Sequence, residues 1–238
     1  MIKITKLFTL TTIVLFCVKS SFAQQAYSPV PEEGIVNFVT STTEITDSKT
    51  NGTPYLNESF VDGEIIVNDK VELVGKMRFN AHGNEVEILN NDAIDSYYSL
   101  LKRSYISVRI GNKKYRIFTY KDSRDAVRTS YFSDLNEGGL KLLFKPESVL
   151  KQARRPSTSY EKYVPPTYVW NSSYYILDQS NKDQENHAIK IKLSKNNILD
   201  FTGDKKEEMK IYVKENKLNL KKEEDVISFL NYYNSVSK

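Results

Sequence analysis

The stretch VELVGKMRFNAHGNEVEIL, residues 71–89, decides the fold class. Its first half places four apolar side chains on one face of an extended chain: Val71, Leu73, Met77 and Phe79. Its second half, NEVEIL, alternates in the same way, and His-Gly-Asn at residues 82–84 separates the two halves. Alternation with period two indicates half-buried β-strands. A short turn with glycine and asparagine joins such strands as an antiparallel hairpin.

The charged residues of the same stretch fall on the opposite face. Glu72, Lys76 and Arg78 alternate with the apolar positions of the first strand, and Glu85 and Glu87 alternate with those of the second. Two carboxylates on one face are also what a glycosidase needs. Alternating charges are, however, typical of the solvated side of an antiparallel sheet. The pattern therefore predicts that these five side chains are exposed.

Further runs repeat the pattern along most of the chain. YISVRI at residues 105–110 and HAIKIKL at residues 187–193 both alternate. Turn dipeptides separate other extended runs: Asn68-Asp69, Gly111-Asn112 and Gly138-Gly139. Successive hairpins predict a mainly β fold, an antiparallel meander that forms a sandwich or a barrel over residues 35–193.

The period changes at Ser194, and residues 194–238 form a predicted helical segment. SKNNILDF is typical of one helical turn capped by Ser194. Asp204 and Glu207 have the spacing of a capping box for a second, longer helix. The last helix has one apolar stripe: Val226, Phe229, Leu230 and Tyr233. The sequence thus predicts a C-terminal pair of amphipathic helices.

The amino terminus has the features of a secretory signal peptide. Lys3 and Lys6 precede an apolar run, and Ser21-Phe22-Ala23 is a small-x-small cleavage site. We therefore expect residues 1–23 to be removed and the protein to be exported to the periplasm, the outer membrane or the medium. Residues 24–34, rich in Gln, Pro and Glu, are predicted to be a flexible leader.

Composition narrows the class of protein. Cleavage would remove Lys3, Lys6 and Lys19, which leaves 31 basic residues against 30 acidic ones, and would also remove the single cysteine. A disulfide framework is therefore not expected, and the fold must depend on a hydrophobic core. A nucleic-acid partner would require a concentrated basic face, and none is predicted. No further segment has the length and apolar character of a transmembrane span.

The segment NGTPYLNESF, residues 51–60, mixes turn formers with Tyr55, Leu56 and Phe60. It could be a ligand loop, and Asn51 and Asn57 both match the N-x-[ST] glycosylation pattern. Apolar side chains this close together are usually buried. We expect the segment to fold over the edge of the sheet as a cover.

One segment combines cationic and aromatic side chains in the manner of binding surfaces. KQARRPSTSYEKYVPPTYVW, residues 151–170, contains six candidate contact residues: Arg154, Arg155, Tyr160, Tyr163, Tyr168 and Trp170. Guanidinium and aromatic groups together are common in interface hot spots and in sugar or anion sites. The alternative is a polar loop with its aromatic rings packed against the sheet.

Catalytic and metal-binding patterns are weak in this sequence. The two histidines, His82 and His187, are far apart and both fall in predicted turns. No serine or cysteine stands in a recognisable nucleophile motif. We predict no metal, no cofactor and no catalytic residue.

Three segments resemble secreted proteins of Bacteroidota of uncharacterised function. They are NGTPYLNESFVDGEI at residues 51–65, MRFNAHGNEVEI at residues 77–88, and the tail that begins with FTGDKK at residue 201. The resemblance implies an exported, envelope-associated β protein and transfers no catalytic residue.

Two functional hypotheses follow, with a third behind them. The first is a noncatalytic envelope protein that binds another protein or a surface glycan through the segment around Arg154 to Trp170. The second is a carrier of a small ligand or lipid, in which the sheet closes into a barrel with an apolar lumen. The third is an unrecognised hydrolase. The sequence leaves the oligomeric state open.

Overall fold

A computed structural model describes residues 38–44, 50–90, 96–180 and 186–237. The predicted signal peptide and leader, residues 1–34, lie outside the described residues. The strands occupy residues 39–191 and the helices residues 195–236.

The protein is mainly β. Its strands are β1 (Val39–Glu44), β2 (Val61–Val67), β3 (Lys70–Asn80), β4 (Glu85–Leu89), β5 (Ser96–Leu100), β6 (Ile106–Ile110), β7 (Lys113–Lys121), β8 (Val127–Asp134), β9 (Leu140–Lys145), β10 (Ser148–Lys151), β11 (Thr167–Trp170), β12 (Ser173–Asp178) and β13 (Ile189–Ile191). The helices are α1 (Lys195–Leu199), α2 (Lys206–Glu215) and α3 (Glu223–Val236), with a 3₁₀ helix over Asp200–Lys205.

Eleven strands form one antiparallel sheet in the order β1-β5-β4-β3-β2-β6-β7-β8-β9-β12-β13. The sheet is therefore two meanders that grow in opposite directions from the centre. β2 to β5 extend one way, and β6, which pairs with β2, begins the other. The main sheet stays open between its edge strands β1 and β13, so the described strands do not close into a barrel. β10 and β11 form a separate two-stranded ribbon.

The predicted hairpin turns are confirmed, because their residues adopt the left-handed backbone that such turns require. Asn68 and Asp69 have φ of 48° and 63°, and Gly111 has φ of 58°. Asn84, between β3 and β4, has φ of 50°. Asparagine, aspartate and glycine tolerate this conformation better than other residues.

Val71 was predicted to lie on the buried face of β3, but its side chain faces solvent. Val71 is 52% exposed, whereas Leu73, Met77 and Phe79 are buried. The pairing of β2 with β3 shifts between Ile65, which lies opposite Leu73, and Ile66, which lies opposite Val71. This bulge adds one residue to β3, so the alternation reverses at that point.

The first core lies inside the curved half of the sheet, strands β2 to β8. Phe79 stacks on Tyr115 with ring centroids 4.7 Å apart and meets Tyr131 edge to face at 6.2 Å. The curvature brings the β3–β4 turn against β8, where the amide side chain of Asn84 hydrogen-bonds to the backbone N–H and C=O of Tyr131. The core is therefore enclosed by a sheet that bends over itself.

The helices cover the second core, on the other half of the sheet. Leu142 of β9 and Ile176 of β12 pack in one buried cluster with Met209 of α2 and Phe229 of α3. Stacked rings of Tyr212 and Tyr232, 3.8 Å apart, join α2 to α3. The predicted pair of C-terminal helices is thus confirmed, preceded by a short third helix. None of the described helices combines the length and apolar character needed to cross a bilayer.

The predicted helix starts were right in one case and wrong in another. The Ser194 hydroxyl accepts a hydrogen bond from the Asn197 N–H, as expected for the cap of α1. The capping box at Asp204 does not form, because the 3₁₀ helix continues to Lys205 and α2 begins only at Lys206, without a side-chain cap.

Asn234 near the end of α3 fastens the helices to the turn between β8 and β9. Its Oδ1 accepts from the Leu140 N–H at 2.9 Å, and its Nδ2 donates to the Glu137 carbonyl at 2.9 Å. Gly138 has φ of 114°, and a Cβ there would lie 2.4 Å from Asn234 Nδ2. The turn therefore requires glycine at this position both for its conformation and for the close approach of Asn234.

Candidate functional site

The most exposed continuous feature of the described chain is the ribbon formed by residues 148–170, which we call the arm. β10 and β11 pair from Ser148 with Trp170 to Lys151 with Thr167. Beyond this ladder, Arg154 and Val164 exchange two backbone hydrogen bonds of 2.9 and 3.0 Å. All fourteen residues from Lys151 to Val164 are exposed. The arm therefore projects from the body.

Hydrogen bonds within the arm order its tip, residues 155–163. The Glu161 carboxylate accepts from the Ser157 N–H at 2.9 Å and from the Ser157 hydroxyl at 2.8 Å. The Glu161 N–H donates to the Thr158 carbonyl at 3.2 Å. The hydrogen bond from the Ser157 backbone, and then that from its hydroxyl, hold the pKa of the Glu161 carboxyl below its ordinary value. The tip is a turn with internal bonding.

The base of the arm is fixed to the body by the start of the NGTPYLNESF segment. The Asn51 N–H donates to the Pro166 carbonyl at 2.9 Å, and the Tyr168 N–H donates to the Asn51 carbonyl at 2.8 Å. Gly52 has φ of 72°, and a Cβ there would lie 2.9 Å from the Tyr168 carbonyl oxygen. Only glycine fits this approach between the two segments.

A second anchor comes from the β3–β4 turn. The Ser148 N–H donates to the Ala81 carbonyl at 3.2 Å. The His82 ring donates through Nδ1 to the Ser148 carbonyl at 3.0 Å and meets the Tyr168 ring edge to face, with centroids 5.3 Å apart. The arm is thus a pre-organised element with a rigid base, a condition that lowers the entropy lost on binding.

The six residues predicted as candidate contacts divide into two groups. Arg154, Arg155, Tyr160, Tyr163 and Trp170 are exposed, and Tyr160 is 99% exposed. Tyr168 is half-buried against His82 and belongs to the base of the arm. The sequence also allowed a polar loop whose aromatic rings pack against the sheet. That interpretation is wrong for Tyr160, which is almost fully exposed, and fits Tyr168, which packs against His82. The five exposed residues lie along the arm and do not converge on a cleft.

The arm also carries two exposed apolar residues that the sequence did not single out, Val149 and Val164. Eleven large hydrophobic side chains are exposed in the described part of the chain, and five of them belong to the arm: Val149, Tyr160, Tyr163, Val164 and Trp170. Val149 was hard to find because β10 reads as an ordinary short strand. Exposed apolar side chains scattered singly need no explanation, but a concentration of them marks interaction surfaces.

A different cluster was missed altogether, because two residues predicted to be solvated are buried. Glu87 is completely buried and Arg78 nearly so. Arg78 Nε donates to Glu87 Oε2 at 2.7 Å, and Asn80 Nδ2 donates to Glu87 Oε1 at 2.9 Å. The prediction that both lie on a solvated face is wrong.

The NGTPYLNESF segment explains this burial. The prediction that it acts as a cover is confirmed, but it lies over the interior strands β3 and β4 and not over the edge of the sheet. Leu56 packs against the first core, and its N–H donates to the Phe79 carbonyl. Tyr55 and Phe60 lie over the guanidinium of Arg78, with ring centroids 3.7 and 4.3 Å from its Cζ. Burial, and then the Glu87 carboxylate, raise the pKa of the Tyr55 hydroxyl. The segment thus covers the Arg78–Glu87 pair on β3 and β4.

The histidines do not form a shared site. His82 binds the arm, whereas His187 contacts the Thr119 hydroxyl at 3.0 Å on the other half of the sheet. Within residues 38–44, 50–90, 96–180 and 186–237, no three His, Cys, Asp or Glu side chains cluster in a way that could hold a metal ion.

An open groove of about 670 Å³ lies between β12, β13 and the start of α3. Its lining includes Tyr174, Ile191, Leu193 and Lys221. The Tyr174 hydroxyl donates to Glu223 at 2.8 Å, and burial together with this bond raises the pKa of Tyr174 to about 12. The groove combines apolar residues with the charged Lys192, Lys221 and Glu223.

Comparisons with protein families, with curated proteins and with solved structures found no match to this chain. The similarity to secreted Bacteroidota proteins therefore stays a prediction from the sequence. Function has to be inferred from the geometry of the arm.

Proposed function

We propose that this protein is an exported, noncatalytic envelope protein that binds a protein or a surface glycan through the arm. One observation supports this most directly: five of the eleven exposed large hydrophobic side chains of the described residues lie on the arm, beside Arg154 and Arg155. Tyrosine, tryptophan and arginine are the residues that contribute most to binding at interfaces. The anchored base and the bonded tip present these groups in a fixed arrangement.

Site-specific photo-crosslinking in the producing cells tests the proposal. A photoreactive phenylalanine analogue replaces Tyr160 or Tyr163 in the full chain. We expect each arm variant to give a discrete covalent adduct, whose mass and composition identify protein or glycan. Tyr105 and Ile211, which are 53% and 59% exposed on other surfaces, are the matched control positions. Arm variants that give no more adduct than these controls would overturn the proposal.

Carriage of a small ligand or lipid has less support. The lumen that this hypothesis required does not form, because the described strands do not close into a barrel. The groove beside Tyr174 is one place in the described residues that could hold such a ligand. Native mass spectrometry of the protein purified from its own cells tests it: a bound small molecule that is lost when Leu193 is changed to Arg would favour the carrier, and an unliganded mass would exclude it.

A further inference from the structure

The arm concentrates positive charge as well as apolar surface. Residues 148–170 contain four basic side chains and one acidic one, a net charge of +3, within a chain whose formal net charge is +4. The basic residues are Lys151, Arg154, Arg155 and Lys162, and all four are exposed. A projecting element with this charge attracts acidic surfaces over about the Debye length, ~8–10 Å at ordinary salt.

Among the described residues, several basic side chains on the main sheet form ion pairs with carboxylates, whereas the four basic side chains of the arm do not. Elsewhere on the sheet, Arg109 pairs with Glu64 at 2.7 Å and Lys145 with Glu147 at 3.3 Å. None of the arm's four cations forms an ion pair within the described part of the chain. The single acidic side chain, Glu161, is already bonded to Ser157. A partner therefore meets four cations without an ion-pair partner among the described residues, on an element whose net charge is +3.

The uncharged residues of the arm decide which kind of acidic partner fits. The tip places Ser157, Thr158 and Ser159 next to Tyr160. Tyrosine with small hydroxyl side chains is the composition of antibody loops, where the ring supplies contact area and the hydroxyls supply adaptable hydrogen bonds to a protein. A membrane anchor needs a continuous apolar face, which these polar residues interrupt. Sites for small ligands are concave, whereas the arm projects.

We infer that the arm docks on an acidic surface of a protein partner, because four unpaired cations and three exposed aromatic rings, Tyr160, Tyr163 and Trp170, share one pre-organised ribbon. This inference rests on the proposed function and specifies its partner. The arginines steer the encounter and pair with carboxylates, while the rings fill the centre of the contact. Association is then faster at low salt, as expected for complementary charges.

Selection from a displayed library of random peptides on the immobilised full chain tests this inference. We expect the enriched peptides to carry net negative charge together with apolar residues. Arg154→Glu/Arg155→Glu should weaken binding of a synthetic copy of the enriched peptide by about tenfold or more, because two attractions become repulsions. Arg154→Lys/Arg155→Lys should retain most of the binding. Raising salt from about 50 to about 500 mM should weaken it further.

The matched control is Lys113→Glu/Lys114→Glu, which makes the same change of charge at the β6–β7 turn. It should leave peptide binding unchanged. Enriched peptides that are neutral or basic, or equal losses for the arm and control variants, would overturn the inference. So would binding of an anionic polysaccharide or of vesicles rich in phosphatidylglycerol with the same dependence on Arg154 and Arg155.

The crosslinking experiment at Tyr160 distinguishes failure of the proposed binding function from failure of the inferred acidic protein partner. An adduct at Tyr160 without selection of acidic peptides leaves the binding function intact and removes only the acidic protein partner. Absence of an arm-specific adduct removes both. Because Arg154 and Arg155 are exposed, the Arg154→Glu/Arg155→Glu variant should keep the thermal unfolding transition of the natural protein, which shows that its lost binding is not a loss of folding.

Discussion

Two clusters in this protein contain the same kinds of side chain and have opposite roles. In the first, Arg78 lies under Tyr55 and Phe60, bonds to Glu87 and is nearly inaccessible to solvent. In the second, Arg154 and Arg155 stand in the open beside Tyr160 and the other rings of the arm. The first cluster satisfies its charge inside the protein, and the second leaves its charge available.

The comparison of the two clusters shows that residues far apart in sequence can form a compact cluster, while residues close in sequence can remain spread out. The members of the Arg78 cluster come from residues 55 to 87 and meet only in the folded protein. The candidate residues of the arm are neighbours in sequence, yet they spread along a ribbon. A guanidinium beside aromatic residues therefore indicates binding only when no carboxylate from another strand reaches it.

The largest effect should come from breaking the buried pair. Arg78→Ala leaves the carboxylate of Glu87 buried without its counter-charge, and we expect a loss of about 3–5 kcal/mol in the free energy of unfolding. Urea denaturation followed by circular dichroism measures it. The double variant Arg78→Met/Glu87→Leu removes both charges and should recover much of the loss. A single variant that costs less than about 1 kcal/mol would mean that water reaches Glu87 and that the cluster is not closed.

A smaller loss in the free energy of unfolding is expected when the Phe60 ring that covers Arg78 is removed. Phe60→Ala takes away a ring 4.3 Å from the Arg78 guanidinium, and we expect a loss of about 1–2 kcal/mol from cation–π attraction and exposed apolar surface. Tyr160→Ala is the matched change on the arm and should alter the unfolding free energy by no more than about 0.5 kcal/mol. Equal losses in the two variants would contradict the distinction between a structural cluster and a free one.

The strands and turns could be predicted because the sequence patterns that specify them extend over only a few residues. Alternation at Ile106, Val108 and Ile110 and left-handed residues such as Asn68 and Gly111 act within a few positions. Val71 was wrongly placed because a bulge is decided by pairing with β2. The missing cap at Asp204 has a similar cause, since the 3₁₀ helix before α2 takes up that part of the chain.

The candidate site shows the same division between local and tertiary information. The run of polar residues before Pro165-Pro166 favours a loop, which was the alternative interpretation of this segment from its sequence. The burial of Arg78 and Glu87 could not be predicted from their strands, because the cover comes from a segment about twenty residues earlier. The order of the tip was also hidden, because it depends on the particular hydrogen bonds between Ser157 and Glu161.

The smallest expected effect is on the hydrogen bonds between Ser157 and Glu161 that order the tip of the arm. The pKa of the Glu161 carboxyl lies below its ordinary value because the Ser157 N–H and hydroxyl stabilise the charged form. A depressed pKa contributes order that is present above the ordinary carboxyl pKa and is lost as the pH falls through the lower, folded value. Nuclear magnetic resonance should show the Glu161 carboxyl titrating below the ordinary glutamate pKa, and the Ser157 amide losing its hydrogen bond in the same range of pH. Ser157→Ala should move the Glu161 titration part of the way back, since the hydrogen bond from the Ser157 N–H remains. Global unfolding should stay unchanged because every residue of the tip is exposed. A Glu161 that titrates at the ordinary glutamate pKa would mean that the tip is not pre-organised, and binding by the arm would then require ordering of the tip by the partner.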